Sequence, residues 1–172
     1  MAIAKTIWFT GLPGAGKTTL ARSLEQALIS RGYACAVLDG DELRRGLCRD
    51  LGYSPADRSE NIRRAAEVAR LLNGSGVFAI VALISPQAAD RAQAREIIGD
   101  LEIIEAHVAT PLEVCEERDP KGLYARARRG EIADFTGIDA PYEEPVNPAL
   151  TLDTSLLSPV ACLGRLMALL PV

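Results

Sequence analysis

Residues 11–18 read Gly11-Leu12-Pro13-Gly14-Ala15-Gly16-Lys17-Thr18, a glycine-spaced run that closes on Lys-Thr. Glycines at this spacing let the backbone curl until several N–H groups converge on one point, which makes a cradle for phosphate. The flanks fit that geometry. Ile7-Trp8-Phe9-Thr10 has the character of a strand, and Thr19 to Ser30 reads as a helix. A helix that starts at the end of the loop adds partial positive charge at the same point. The whole matches G-x-x-x-x-G-K-[ST], the P-loop, in which Lys17 reaches the β- and γ-phosphates and the Thr18 hydroxyl holds Mg²⁺. A nucleotide is therefore the expected ligand.

Beyond the loop the chain alternates strand and helix patterns, which predicts a parallel sheet covered on both faces. Ala34–Leu38 is a short apolar run that ends in Asp39-Gly40-Asp41, and Glu42 to Arg49 reads as a short helix. Ser54-Pro55-Ala56-Asp57 carries the signature of a helix start, and Ile62, Ala65, Ala66, Ala69 and Leu72 recur at helical spacing up to Asn73-Gly74. Val77–Ile84 has the nearly unbroken apolar run of a central buried strand. Ala88–Ile98 is predicted helical, Leu101–Val108 a fourth strand, Leu150–Asp153 an edge strand and Pro159–Leu170 a closing helix. The expected fold is α/β: a three-layer P-loop NTPase fold with a five-stranded parallel sheet, in one domain over residues 1–172.

Between Arg118 and Pro148 the sequence turns rich in charge, Gly and Pro, with one short helix predicted at Leu123–Arg129. A segment of this length inside one domain suggests a functional lid or a disordered stretch. Net charge is −4, so the basic excess of a nucleic-acid binder is absent and no nucleic-acid partner is expected. No apolar run approaches the ~20 residues of a membrane span, and the N-terminus lacks the pattern of a signal peptide. A cytoplasmic protein with no membrane partner is expected. Cys35, Cys48, Cys115 and Cys162 are widely spaced and His107 is the one histidine, which argues for free thiols over a zinc site or disulfide framework.

Ligands of open parallel sheets bind beyond the carboxyl ends of the strands. Three features fall there: the P-loop, Asp39-Gly40-Asp41, and Ile84-Ser85-Pro86. Phosphoryl transfer needs an acid near the acceptor or the metal shell. The long apolar strand ends in Ser85, so Asp39 and Asp41 are the candidates for it. Arg58 lies four residues before core-facing Ile62, with Asn61 one turn along, and the two are suited to hold an anionic second substrate. Arg118, Lys121, Arg126, Arg128 and Arg129 make the lid cationic, as a segment closing over phosphate should be. Donor site, acid pair, acceptor site and lid together describe a small-molecule kinase.

Nearly end to end the chain resembles the adenylylsulfate kinase (APS kinase) family. The resemblance rests on Gly11–Thr19, Leu38-Asp39-Gly40-Asp41, Asp57–Arg64, Ile84-Ser85-Pro86, Arg118–Tyr124, Phe135–Asp139 and Pro141-Tyr142-Glu143. It implies phosphorylation of the 3′-hydroxyl of adenosine 5′-phosphosulfate by ATP, with Mg²⁺, giving PAPS and ADP in sulfate activation. In that likeness Gly11, Leu12, Pro13, Gly14, Ala15, Gly16, Lys17, Thr18 and Thr19 bind ATP and magnesium, and Arg118 lies against the ATP adenine. Asp41 acts as base or orienting acid, and Asp39 supports the metal shell. Arg44, Arg58 and Asn61 hold the acceptor. Tyr53 and Phe135 sandwich its adenine. Lys121 contacts the transferring phosphate. Ile84 and Ser85 line the acceptor site. Ser85 matches a serine sometimes described as phosphorylated, but in-line transfer needs no such nucleophile, and acceptor binding is the expected role. The family precedent is a homodimer.

Several positions depart from the family pattern. Tyr53 stands where Phe is usual, and Glu42, Arg45 and Cys48 stand where Asn, His and Asn are expected; Gln87 replaces an aromatic residue. The N-terminal arm of many relatives is absent before the first strand, so regulation through it is not expected. Two other readings share the P-loop: a kinase of this fold acting on another nucleotide-like acceptor, and a non-catalytic nucleotide-binding module.

Overall fold

The computed structural model describes residues 4–172. The reading of the extreme N-terminus falls partly on residues 1–3, outside them. β1 (Thr6–Thr10) runs into the glycine loop and lies at the centre of a parallel five-stranded sheet. The other strands are β2 (Cys35–Asp39), β3 (Phe78–Ala82), β4 (Ile103–Val108) and β5 (Leu150–Leu152), in the order β2-β3-β1-β4-β5. Side chains alternate across a strand, so the central strands feed two cores. Ile7 and Phe9, Phe78 and Ile80, and Ile104 and Ala106 enter one; Trp8, Ala79, Val81 and Ile103 enter the other.

The first core is closed by α1 (Lys17–Ser30) and α7 (Pro159–Met167) through Leu20, Leu24, Leu28, Cys162 and Leu166. The second is closed by α3 (Pro55–Gly74) and α4 (Ala88–Ile98) through Ile62, Ala65, Ala69, Ala94 and Ile98. The expected three layers are therefore present. Short helices α2 (Gly40–Arg45), α5 (Leu112–Arg118) and α6 (Leu123–Arg128) sit at the carboxyl ends of the strands or in the segment after β4. All four cysteines are free thiols, buried or half-buried, as expected.

Several boundaries differ from the sequence expectation for local reasons. The helix expected at Glu42–Arg49 begins at Gly40, because Asp39 accepts a hydrogen bond from the Asp41 N–H as its N-cap, and it stops at Gly46. The strand expected at Leu101–Val108 begins at Ile103, with Leu101 80% exposed in the turn before it. The strand at Val77–Ile84 ends at Ala82, and Ser85 beyond it takes a left-handed φ of 47°. α5 was not anticipated at all. The lid is also less polar in its packing than in its composition, because Tyr124, Ala127 and Phe135 are buried against the first core.

α3 starts as its sequence predicts. Ser54 Oγ accepts from the Asp57 N–H at 3.2 Å and lies 2.8 Å from Asp57 Oδ2, and Pro55 takes the first helical position. This cap holds the turn that carries Arg58. Ser54→Ala is expected to lower stability by about 1 kcal/mol, read as a lower urea midpoint with an unchanged slope.

Candidate active site

The glycine loop spans the carboxyl end of β1 and the N-terminus of α1. Its curl needs glycine where the structure uses it. Gly14 has a φ of 76°, and a Cβ there would lie 3.0 Å from the Cys115 carbonyl oxygen. A Cβ on Gly11 would lie 2.5 Å from the Val108 carbonyl oxygen. The carbonyls of the loop are tied outward. Lys17 Nζ donates to Gly11 O and Leu12 O at 2.8 and 2.7 Å. Tyr124 Oη donates to Pro13 O at 2.8 Å. Thr110 and Thr154 hydroxyls both donate to Ala15 O, at 3.0 and 2.8 Å. The sequence expectation had Lys17 reaching for phosphate; here its ammonium lies along the loop itself, buried.

A cavity of about 1140 Å³ opens beside this loop. It is lined from the donor side by Pro13, Gly14, Gly16, Lys17, Thr18, Thr19 and Arg118, and from the opposite side by Arg44, Tyr53, Arg58, Asn61, Ile84, Ser85 and Phe135. Asp39, Asp41 and Lys121 lie in the same cavity. The sequence candidates thus converge on one site. Gly11, Leu12 and Ala15 shape the loop from behind and do not line the cavity.

The acid pair divides in role by position. Asp39, at the end of β2, is buried and accepts from the Thr18 hydroxyl through Oδ2 at 2.8 Å and from the Asp41 N–H through Oδ1 at 2.9 Å. Asp41, in the first turn of α2, is exposed and accepts from Lys121 Nζ of the lid. Lys121 therefore meets the acid in this structure. Thr18 and Asp39 are adjacent oxygen donors of the kind magnesium takes, one or two protein groups completed by phosphate and water. No cluster of three or more His, Cys, Asp or Glu side chains suited to a metal is found among the described residues.

Across the cavity Asn61 is buried, and its Oδ1 has no hydrogen-bond partner, the one such buried side-chain atom among the described residues. A buried acceptor left unpaired is costly, and this one calls for a ligand donor. Arg58 Nε donates to Tyr53 O at 2.8 Å, Nη1 to Thr136 Oγ1 at 2.9 Å and Nη2 to Asp134 O at 2.5 Å. Arg58 thereby joins α3 to the lid, a role its sequence position did not reveal. Arg44 lies 4.2 Å from the Tyr53 ring centroid. Tyr53 is 67% exposed, and Phe135 packs edge-on to Tyr124 with centroids 5.0 Å apart. The two rings expected to sandwich an adenine share the cavity without touching each other. Ser85 Oγ accepts from Trp8 Nε1 at 3.0 Å, and no basic side chain among the described residues hydrogen-bonds to it. Arg118 donates to Thr154 Oγ1, Thr154 O and Gly14 O, at 2.8, 3.1 and 3.4 Å, beside the loop.

Residues that sequence reasoning missed support this frame: Thr154, Tyr124 and Thr136 in the cavity wall, and Thr110 and Arg91 outside it. Glu42, Arg45, Cys48 and Gln87, the departures from the family pattern, do not line the cavity. Glu42 pairs with Arg22 at 2.7 Å, and Cys48 is fully buried in the second core. Tyr53, the remaining departure, does line the cavity.

Fold and site define a P-loop phosphotransferase. The model of the adenylylsulphate kinase family matches residues 3–153. The chain belongs to that family. It is 58% identical to the adenylyl-sulfate kinase of Shewanella amazonensis over 149 residues, covering 87% of this chain and 75% of that one. It is 52% identical to that of Prochlorococcus marinus over 162 residues, 94% and 81% of the two chains. The Mycobacterium tuberculosis APS kinase CysC, solved in complex with AMPPNP and APS, superposes with a TM-score of 0.93 at 48% identity over 98% of both chains. No helix among the described residues is long and apolar enough to cross a membrane.

Burial is the largest influence on Lys17 and lowers its pKa to about 8, against smaller opposing effects of Cys115 and Asp39. In the unfolded chain a lysine titrates near 10.4. Between these values the unfolded state binds the extra proton, so the Lys17 contribution to stability rises with pH across that window. Below it Lys17 is charged in both states and the cost of burying the charge is felt in full. The stability of Lys17→Met relative to the parent should therefore be greater at about pH 7 than at about pH 10. Paired urea titrations at the two pH values measure this; a pH-independent difference would exclude a buried ammonium as its cause.

Proposed function

We infer that the protein transfers the γ-phosphoryl group of ATP to the 3′-hydroxyl of adenosine 5′-phosphosulfate, giving ADP and 3′-phosphoadenosine 5′-phosphosulfate (PAPS). The observation that carries this reading is a single cavity in which the phosphate loop and the Asp39/Asp41 pair face Arg58, Asn61 and Ser85. One polyanion fits each side, and the acid lies between them. ATP lies with its phosphates in the loop, against Lys17 and the N-terminus of α1, and with its base towards Arg118. The acceptor lies between Tyr53 and Phe135, with Arg44, Arg58 and Asn61 on its anionic and ribose groups.

Transfer of this kind is mostly positioning and charge stabilisation. Asp41 orients the 3′-hydroxyl and accepts its proton as the oxygen–phosphorus bond forms and the bond to the β-phosphate oxygen breaks. Lys121, delivered by the lid, moves from Asp41 towards the charge that develops on the transferring group. Ser85 borders the acceptor and forms no covalent intermediate, because no base stands beside its hydroxyl. Thr18 and Asp39 would hold Mg²⁺, which when bound neutralises charge on the β- and γ-phosphates. The lid limits water around the reacting atoms. Homodimer formation, the family precedent, belongs to this proposal and is read separately by light scattering.

Purified protein given ATP, Mg²⁺ and adenosine 5′-phosphosulfate should form ADP and PAPS in equal amounts by chromatography. Folded protein that yields no PAPS would sink the reading. Asp41→Asn should lower kcat by ~10²–10⁴-fold while the KM for ATP changes little. A variant with parental kcat would remove Asp41 from the proton transfer.

A further inference from the structure

Arg91 lies on α4, outside the cavity, and its side chain is only 6% exposed. Nε pairs with Glu105 Oε1 of β4 at 3.1 Å. Nη1 donates to the Ser85 carbonyl oxygen at 2.7 Å, and Nη2 donates to the Glu143 carbonyl oxygen at 2.6 Å. One guanidinium thus holds three separate pieces: the sheet, the turn beside the cavity, and the returning end of the lid. Glu143 completes the clamp. Its N–H donates to Pro86 O at 2.8 Å, and its carboxylate accepts from the Ala88 N–H at 2.6 Å. The turn it grips is the one in which Ser85 takes a left-handed φ of 47°, a conformation that persists in a non-glycine residue when its surroundings hold it.

A buried ion pair is a poor device for stability alone, since apolar residues of similar volume often serve as well. An apolar side chain could not, however, hold two backbone carbonyls from distant parts of the chain. Lysine could not replace the arrangement either, because the three contacts need the planar fork.

We propose that Arg91 is a positioning residue for the acceptor side of the cavity: by gripping the Ser85 and Glu143 carbonyls together it sets the Ser85 turn and the returning end of the lid as one unit. The identity of the acceptor rests on the function proposed above; the mechanical role does not. Arg91 makes no hydrogen bond to the glycine loop itself; the link between them is indirect, through the Ser85 turn, where Ile84 O accepts from the Gly11 N–H at 3.3 Å.

Arg91→Lys keeps a positive charge against Glu105 and loses the fork. Its KM for adenosine 5′-phosphosulfate should rise about tenfold or more, the effect of losing one charged hydrogen bond, while the KM for ATP stays at the parental value. Trp8 gives a second readout without turnover. It is the one tryptophan of the chain, it is buried, and its Nε1–H donates to Ser85 Oγ. Its emission should change in Arg91→Lys while the far-ultraviolet circular dichroism stays parental. Glu143→Ala, on the exposed end of the clamp, should move the acceptor KM in the same direction and serves if the Arg91 variant does not fold. Parental KM values with parental Trp8 emission would overturn the proposal. So would equal increases in both KM values, which a general loss of structure produces. If the parent makes no PAPS, the proposed function fails, and Trp8 emission alone still decides whether Arg91 holds the Ser85 turn.

Discussion

A loop that turns its N–H groups inward to a phosphate must turn its carbonyls outward, and each carbonyl then needs a partner. In this protein the partners come from nearly every later part of the chain. Gly11 O and Leu12 O are held by Lys17 of α1, and Pro13 O by Tyr124 of α6. Gly14 O is approached by Arg118 at the end of α5, and Ala15 O is held by Thr110 after β4 and Thr154 after β5. The anion site is therefore assembled from outside by the tertiary fold. That explains why the segment after β4 packs so closely on the loop, and why Tyr124 is buried although it belongs to a charged, proline-rich stretch.

The same arrangement gives the lid two attachments of different kinds. Near its start, Arg118 and Tyr124 tie it to the donor loop. Near its end, Tyr142 Oη lies 2.8 Å from Thr10 Oγ1, and Thr10 Oγ1 donates to Ile84 O at 2.7 Å, beside the Glu143 clamp. Between them, Lys121 meets Asp41, and Arg58 reaches Asp134 and Thr136. Donor and acceptor halves of the cavity are thus bridged by one segment fixed at both ends. Such a segment can bring a cation to the reacting atoms while its flanks stay in register with the sheet.

Much of this was legible in the chain, because some signals are local. The glycine spacing gave the loop, Ser54-Pro55-Ala56-Asp57 gave the start of α3, and apolar runs gave the parallel sheet. What escaped was non-local. Arg91 looks in sequence like any solvated helix charge, and Thr110 and Thr154 like ordinary loop hydroxyls. A trace existed: Glu105 stands inside the apolar run Leu101–Val108, where a charge demands a partner. Arg91 and Arg95, four residues apart on α4, are its partners, at 3.1 and 3.0 Å. Arg58 lines the cavity, but periodicity cannot say that its donors would be engaged by the Asp134 carbonyl and the Thr136 hydroxyl of the lid. α5 was missed because Pro111 and the short Leu112–Arg118 run give little periodic signal over two turns.

Three arginines share one device. Arg58 bridges Tyr53 O and Asp134 O, Arg91 bridges Ser85 O and Glu143 O, and Arg118 bridges Gly14 O and Thr154 O. Each guanidinium joins two backbone segments that are remote in sequence, and all three join the lid to the body. A carbonyl is present whatever the side chain, so this pairing fixes lid backbone while leaving lid side chains free to differ. It also keeps positive charge near the anion sites of a chain whose net charge is −4. A guanidinium satisfied by neutral carbonyls retains its full charge and can attract a polyanion, whereas one paired to a carboxylate is largely neutralised. Arg58 and Arg118 line the cavity and are of the first kind; Arg91, bound to Glu105 and outside the cavity, is of the second. The difference separates the arginines suited to meet substrate from the one suited to hold the frame.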